Sequence, residues 1–149
     1  MPIQPYLFFN GRCEEAIEFY KKAIGAELTY LIRFNESPDE PPPGMVPEGF
    51  EKKVMHAELR IGDAVVMVSD GTSTEPASFK GVSLALVAKD VPESRHRFEA
   101  LSKGGTIQMP LGETFFSPSF GMLVDPFGVP WMVIVDSEES VHTSHARSA

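Results

Sequence analysis

Displaced by 79 positions, this chain falls on its own pattern: Ile3 lies on Val82, Leu7 on Leu86, Phe19 on Phe98 and Gly25 on Gly104. A pattern returning at fixed spacing is the mark of one supersecondary unit built twice. In the first copy, 3–9 is an apolar run that reads as a strand buried on both sides and broken by Asn10-Gly11. Ala16, Ile17, Phe19, Tyr20, Ala23 and Ile24 recur at the spacing of an amphipathic helix over 12–24, with Gly25 placed for a left-handed cap. Strands follow over 26–34, 53–61 and 64–69, the last two joined at Gly62-Asp63, a dipeptide suited to a tight hairpin. The intervening loop, with Pro38, Pro41, Pro42, Pro43 and Pro47, cannot be regular structure. After a polar linker over 70–80 the series restarts. A strand over 82–88 leads to a helix over 91–103, opened by Asp90, Pro92 and Glu93 in capping positions and buried through Phe98 and Leu101. Gly104-Gly105, a strand over 106–109 and a hairpin over 116–124 and 129–136 complete it. Each copy is β-α-β-β-β. The expectation is one α+β domain over 1–136 made of modules at about 1–70 and 81–136, with 137–149 as a frayed polar tail.

Two modules in 149 residues make a core large enough to need neither disulfide nor structural metal. The formal charge of −8 and the absence of a basic stripe argue against a nucleic-acid partner. No apolar run approaches the roughly 20 residues of a membrane span, so no membrane partner is expected. The single cysteine, Cys13, and an N-terminus without a signal-like segment point to a cytoplasmic location. Cys13 opens a helix, where a thiol can be activated, but a small buried residue is the simpler reading. There is no Gly-rich phosphate loop, nucleophile elbow or paired Cys motif.

The candidate chemistry sits in VMHAELRIGDAVVMVSD, from Val54 to Asp70. His56, Glu58 and Arg60 are two residues apart, which puts them on one strand face while Met55, Ala57, Leu59 and Ile61 take the other. His56 and Glu58 are close enough to share a proton or an ion. They are the candidate catalytic pair, with ligand contacts expected from Tyr6, Phe8, Arg60, Phe116, Ser117 and Phe120. His96 between Arg95 and Arg97, and His142 and His145 in the tail, are not credible catalysts.

The segments YLFFNGRCEEAIEFYKKAIGAEL, MHAELRIGDAVVMVSD and SFGMLVDPFGVPWMV, in this order, resemble the vicinal oxygen chelate superfamily of glyoxalase I, bleomycin-resistance proteins, fosfomycin-resistance proteins and extradiol dioxygenases. Within it they look like the PhnB-like branch, which has no securely shared activity. The resemblance implies paired modules curling a mixed sheet into a cup, helices outside and any metal ligands inside. It places the expected ligands at Pro5 or Gln4, at Glu58 with His56 beside it, at Ser83 and at Met132. Proline and methionine are not ligands for an ion that prefers nitrogen and oxygen donors. No cofactor is therefore expected. If a divalent metal is held, His56, Glu58 and Gln4 would hold it.

The function expected is a PhnB-like protein binding a small molecule in the cup without metal. The alternative is a metal-dependent lyase, isomerase or dioxygenase using His56 and Glu58. The resemblance also implies a homodimer, with the proline-rich loop over 36–49 serving as a lid or crossing to a partner.

Overall fold

The computed structural model describes residues 1–137, so nearly all of the expected tail, with His142 and His145, lies outside the described residues. The elements run β1 (Tyr6–Phe8), α1 (Cys13–Ile24), β2 (Glu27–Arg33), a 3-10 turn (Phe34–Glu36), β3 (Val54–Ile61) and β4 (Ala64–Ser69). Then come β5 (Leu84–Ala88), α2 (Val91–Ser102), β6 (Thr106–Gly112), β7 (Phe120–Val124) and β8 (Pro130–Val135). They form two compact units, Met1–Ala77 and the remainder from Ser78. Each holds one long helix and one four-stranded mixed sheet, ordered β1-β4-β3-β2 in the first and β5-β8-β7-β6 in the second. In both, the strand before the helix lies parallel to the last strand of its unit and the other pairs are antiparallel. The doubled β-α-β-β-β pattern is therefore what the chain folds into, an α+β architecture. Among the described residues no helix is long and apolar enough to cross a membrane.

Local chemistry sets the ends of these elements. Gly25, at φ 67°, closes α1 in the left-handed region and donates to the Tyr20 carbonyl. Asp90 caps α2 by accepting the Glu93 N–H at 2.8 Å, while the Glu93 carboxylate reaches the Lys89 N–H instead of that of Asp90. The β3–β4 hairpin turns at Gly62, φ 58°, the only positive φ of its two central residues, as a II′ turn requires. The apolar face of α1, with Ala16, Ile17 and Tyr20, is buried, and Tyr20 packs its ring against Phe9.

Four expectations are corrected. The run over 3–9 is not buried on both sides: β1 is a three-residue edge strand with Leu7 inside and Tyr6 and Phe8 38% and 50% exposed on the other face. Asp70 is not linker. It is 1% exposed, and its carboxylate accepts the N–H groups of Gly11, Cys13 and Val54 at 2.8–2.9 Å, tying the N-terminus of α1 to the start of β3. β7 begins at Phe120 rather than 116, because Ser117 turns its hydroxyl to the Ser119 and Val135 carbonyls and Thr114 bonds back to Ser117. Finally, Met55 does not share the face of Ala57 and Leu59. The β2–β3 register slips between the pairs Ile32–His56 and Arg33–Val54, leaving Met55 as an extra residue. Val54 and Ala57 are buried, and Met55 and His56 between them are both partly exposed.

Candidate functional site

In the first unit, the sheet face away from the buried core carries Tyr6, Phe8, Tyr30, His56 and Glu58. The β2–β3–β4–β1 pairing brings them into adjacent rows, with Tyr30 opposite Glu58, Glu58 opposite Met67 and Met67 opposite Tyr6. The Tyr6 hydroxyl lies 2.8 Å from His56 Nδ1, and His56 Nε2 lies 3.5 Å from Glu58 Oε1. With the imidazole neutral and its proton on Nε2, facing the carboxylate, Nδ1 accepts the phenol proton. Burial raises the Tyr6 phenol above its ordinary value, against an opposing pull from the Ser69 hydroxyl, so the phenol remains a donor at neutral pH. Around this chain of groups the Tyr6 and Phe8 rings stack at 4.9 Å, and the Tyr30 ring centre lies 6.0 Å from that of His56.

Next to Tyr6 a cavity of about 410 Å³ opens, lined by Tyr6, Phe8, Phe34, Met45, Met55 and Ser69 among others. Met55 reaches it because of the β-bulge, and Met45 belongs to the proline-rich loop, so that loop forms part of the cavity wall. Asn10 lines it in a left-handed conformation, φ 49°, with its amide donating to the Glu75 carbonyl. Apolar walls with a few convergent polar groups are the composition of small-molecule sites.

The residues singled out from the sequence divide between the units. Tyr6, Phe8, His56 and Glu58 come together. Arg60 lies farther along β3 and is engaged by the Glu27 carboxylate of the adjoining strand. In the second unit the rings of Phe116 and Phe120 meet at 5.1 Å, with Phe120 buried, while the Ser117 hydroxyl is buried and spent on backbone carbonyls. Tyr30, Met55 and Met45 were not foreseen. Tyr30 was legible as part of an alternating strand, whereas Met55 depends on a bulge and Met45 on a loop path.

The pairing register also aligns the two sheets residue by residue. Met67 pairs with Glu58 and Tyr6 as Met132 pairs with Met122 and Ala85, and Phe8 and Ser69 correspond to Val87 and Ile134. By the same alignment Tyr30 corresponds to Met109 and His56 to Phe120. Where the first unit has Tyr6, Phe8, Tyr30, His56 and Glu58, the second has Ala85, Val87, Met109, Phe120 and Met122. The fold tolerates apolar side chains at all five places.

A divalent metal fits this donor set poorly. His56 and Glu58 supply two donors, and among the described residues no group of three His, Cys, Asp or Glu side chains could hold an ion. Gln4 is exposed ahead of β1 and offers a neutral amide oxygen, Ser83 is exposed ahead of β5, and Met132 offers a thioether. Catalytic zinc takes three protein ligands of nitrogen, carboxylate or thiolate type.

Comparison with known proteins places this chain among relatives. The chain is 38% identical over 146 residues to protein YjdN of Escherichia coli K12, a match covering 93% of this chain and 98% of that protein. The structure of protein PA1353 from Pseudomonas aeruginosa superposes with a TM-score of 0.79 at 40% identity, covering 91% of this chain and 98% of that one. A Bacillus cereus PhnB protein, described as a putative 3-demethylubiquinone-9 3-methyltransferase, superposes at 0.73 with 31% identity, covering 91% and 99%. Residues 3–133 match a single family model, and the chain belongs to the Glyoxalase/Bleomycin resistance protein/Dioxygenase superfamily.

Proposed function

We propose that the protein is a PhnB-like binder of a small molecule, taken up without metal on the open sheet face of the first unit. The observation that carries this reading is the Tyr6–His56–Glu58 chain of polar groups beside a cavity of about 410 Å³ walled by Phe8, Phe34, Met45 and Met55. The aromatic and thioether walls supply apolar contact, and the polar chain orients the ligand. If turnover accompanies binding, His56 and Glu58 are its acid/base pair: the carboxylate holds the Nε2 proton, leaving Nδ1 to take a proton through the Tyr6 hydroxyl. The test is to expose the purified protein to a small-molecule extract and identify retained compounds by mass spectrometry. Wild type should retain a compound that a Phe8→Ala/Met55→Ala variant releases. Retention of nothing, or equal retention by both, overturns the reading.

A metal-dependent lyase, isomerase or dioxygenase remains the second reading, favoured by one observation, the 3.5 Å approach of His56 Nε2 and Glu58 Oε1. It requires that added zinc or nickel raise the melting temperature of chelator-treated wild type and not of His56→Ala. The reading also includes a homodimer, supported by the exposed Ile107 and Met109 on the edge strand β6, and a cytoplasmic location, supported by a lone buried cysteine. Light scattering after size exclusion showing only monomer would remove the dimer.

A further inference from the structure

Three exposed rings, Tyr6, Phe8 and Tyr30, share the first unit's open face with the Glu58 carboxylate. Tyr30 stands directly opposite Glu58, its ring 6.0 Å from that of His56, and Tyr6 and Phe8 stack beyond the imidazole. Ring faces are electron-rich and attract cations approaching within about 6 Å, more strongly where water is partly excluded. Arg60, two residues further along β3, is paired with Glu27 and does not neutralise Glu58, whose basic neighbour is the His56 imidazole at 3.5 Å. Lys53 donates to the Gly11 carbonyl. With His56 Nδ1 as the acceptor, the Tyr6 hydroxyl donates to it and keeps lone pairs of its own. The Glu58 carboxylate, approached by His56 Nε2 at 3.5 Å through one oxygen, and the Tyr6 oxygen keep acceptor capacity for a further donor. The equivalent face of the second unit, with Ala85, Val87, Met109, Phe120 and Met122, offers neither carboxylate nor phenol, so these groups are not there to hold the sheet together.

We propose that the ligand of this face is an organic cation, an ammonium or comparable group on an apolar body, with its charge held by Glu58 among the rings of Tyr6, Tyr30 and Phe8 and its body in the adjoining cavity. This rests on the small-molecule reading above and specifies the chemical class. A net charge of −8 on the chain draws cations toward it over the longer range.

The test titrates the full chain with benzyltrimethylammonium, benzyl alcohol and phenylacetate, following affinity by calorimetry and location by the ring proton shifts of Tyr6 and Tyr30. The ammonium should bind about tenfold or more tightly than the alcohol, with phenylacetate weakest. Glu58→Gln should bring the ammonium to within about twofold of the alcohol. Tyr30→Leu, which keeps an apolar residue, should weaken the ammonium more than the alcohol. The cation assignment is overturned if the alcohol or phenylacetate matches the ammonium, if Glu58→Gln leaves ammonium binding unchanged, or if the ammonium fails to shift either tyrosine. The broader binding reading fails separately, on the retention experiment, so tight binding of phenylacetate would sink the cation and leave the site standing.

Discussion

Tyr6→Phe removes one oxygen and the bond to His56 Nδ1, and leaves the ring stacked on Phe8. Because the site is open to water, stability should change by less than about 1 kcal/mol, while affinity for the retained compound falls about fivefold or more as the imidazole loses its fixed orientation. Equal affinity in the two proteins would remove Tyr6 from the site. Asp70→Asn is the opposite case. The buried carboxylate accepts three backbone N–H groups, and the amide turns one acceptor into a donor facing another donor, at a cost on the order of 3 kcal/mol by urea denaturation. Cys13, fully buried, has its thiol pushed well above the ordinary value by burial, reinforced by the Asp70 and Glu14 carboxylates. The folded chain keeps that proton where the unfolded chain, titrating near pH 8.5, releases it. The contribution to stability is whole below about pH 8.5 and is eroded as pH rises toward the folded value, so Cys13→Ala should lose less stability than wild type between about pH 7.5 and 9.5. His56 and Glu58 could be read from the sequence because strand alternation alone makes them neighbours. Tyr6 is named from the sequence as a ligand contact, but its bond to His56 is not legible there, since Tyr6 lies 50 residues away and reaches the pair through the parallel β1–β4 pairing.

At the level of elements, the repeat carried most of the information. The capping glycine, the tight hairpin at Gly62-Asp63 and most of the buried residues of both helices follow from side-chain chemistry within one or two turns of chain and are legible, Phe19 and Ser94 being the exceptions. The Met55 bulge was not, because nothing in VMHAELRI distinguishes a regular strand from one with an extra residue. The slip arises in pairing with β2. Similarly, the start of β7 depends on where Ser117 finds its carbonyls, one of them on β8. Two glycines test how tightly the second sheet is built. A Cβ on Gly105 would lie 2.1 Å from the Val124 carbonyl oxygen and 3.0 Å from the Asp125 Cα, backbone that cannot swing aside. Gly105→Ala should therefore cost roughly 1–3 kcal/mol or more. Gly112, with nothing within 4 Å of the same position, should accept alanine without measurable loss, and a comparable loss at both sites would refute the packing argument.

For the molecule as a whole, duplication explains why fold and function are unequally legible. Both copies keep the order of elements, the strand pairing and a helix with a buried face, so their agreement reinforces the reading of either one. The open faces differ at every aligned position that carries a polar group in the first copy, so the repeat says nothing about chemistry there. One further consequence lies in the order of synthesis. All the strands of the first sheet and the Asp70 carboxylate that ties the start of α1 to β3 belong to the first 70 residues. No partner within that sheet waits on later chain. The first unit can therefore close its hydrogen bonds while the second is still being translated, and ribosome-stalled chains ending about 40 residues beyond Ala77 should resist protease over residues 1–77, with Asp70→Asn abolishing the protection.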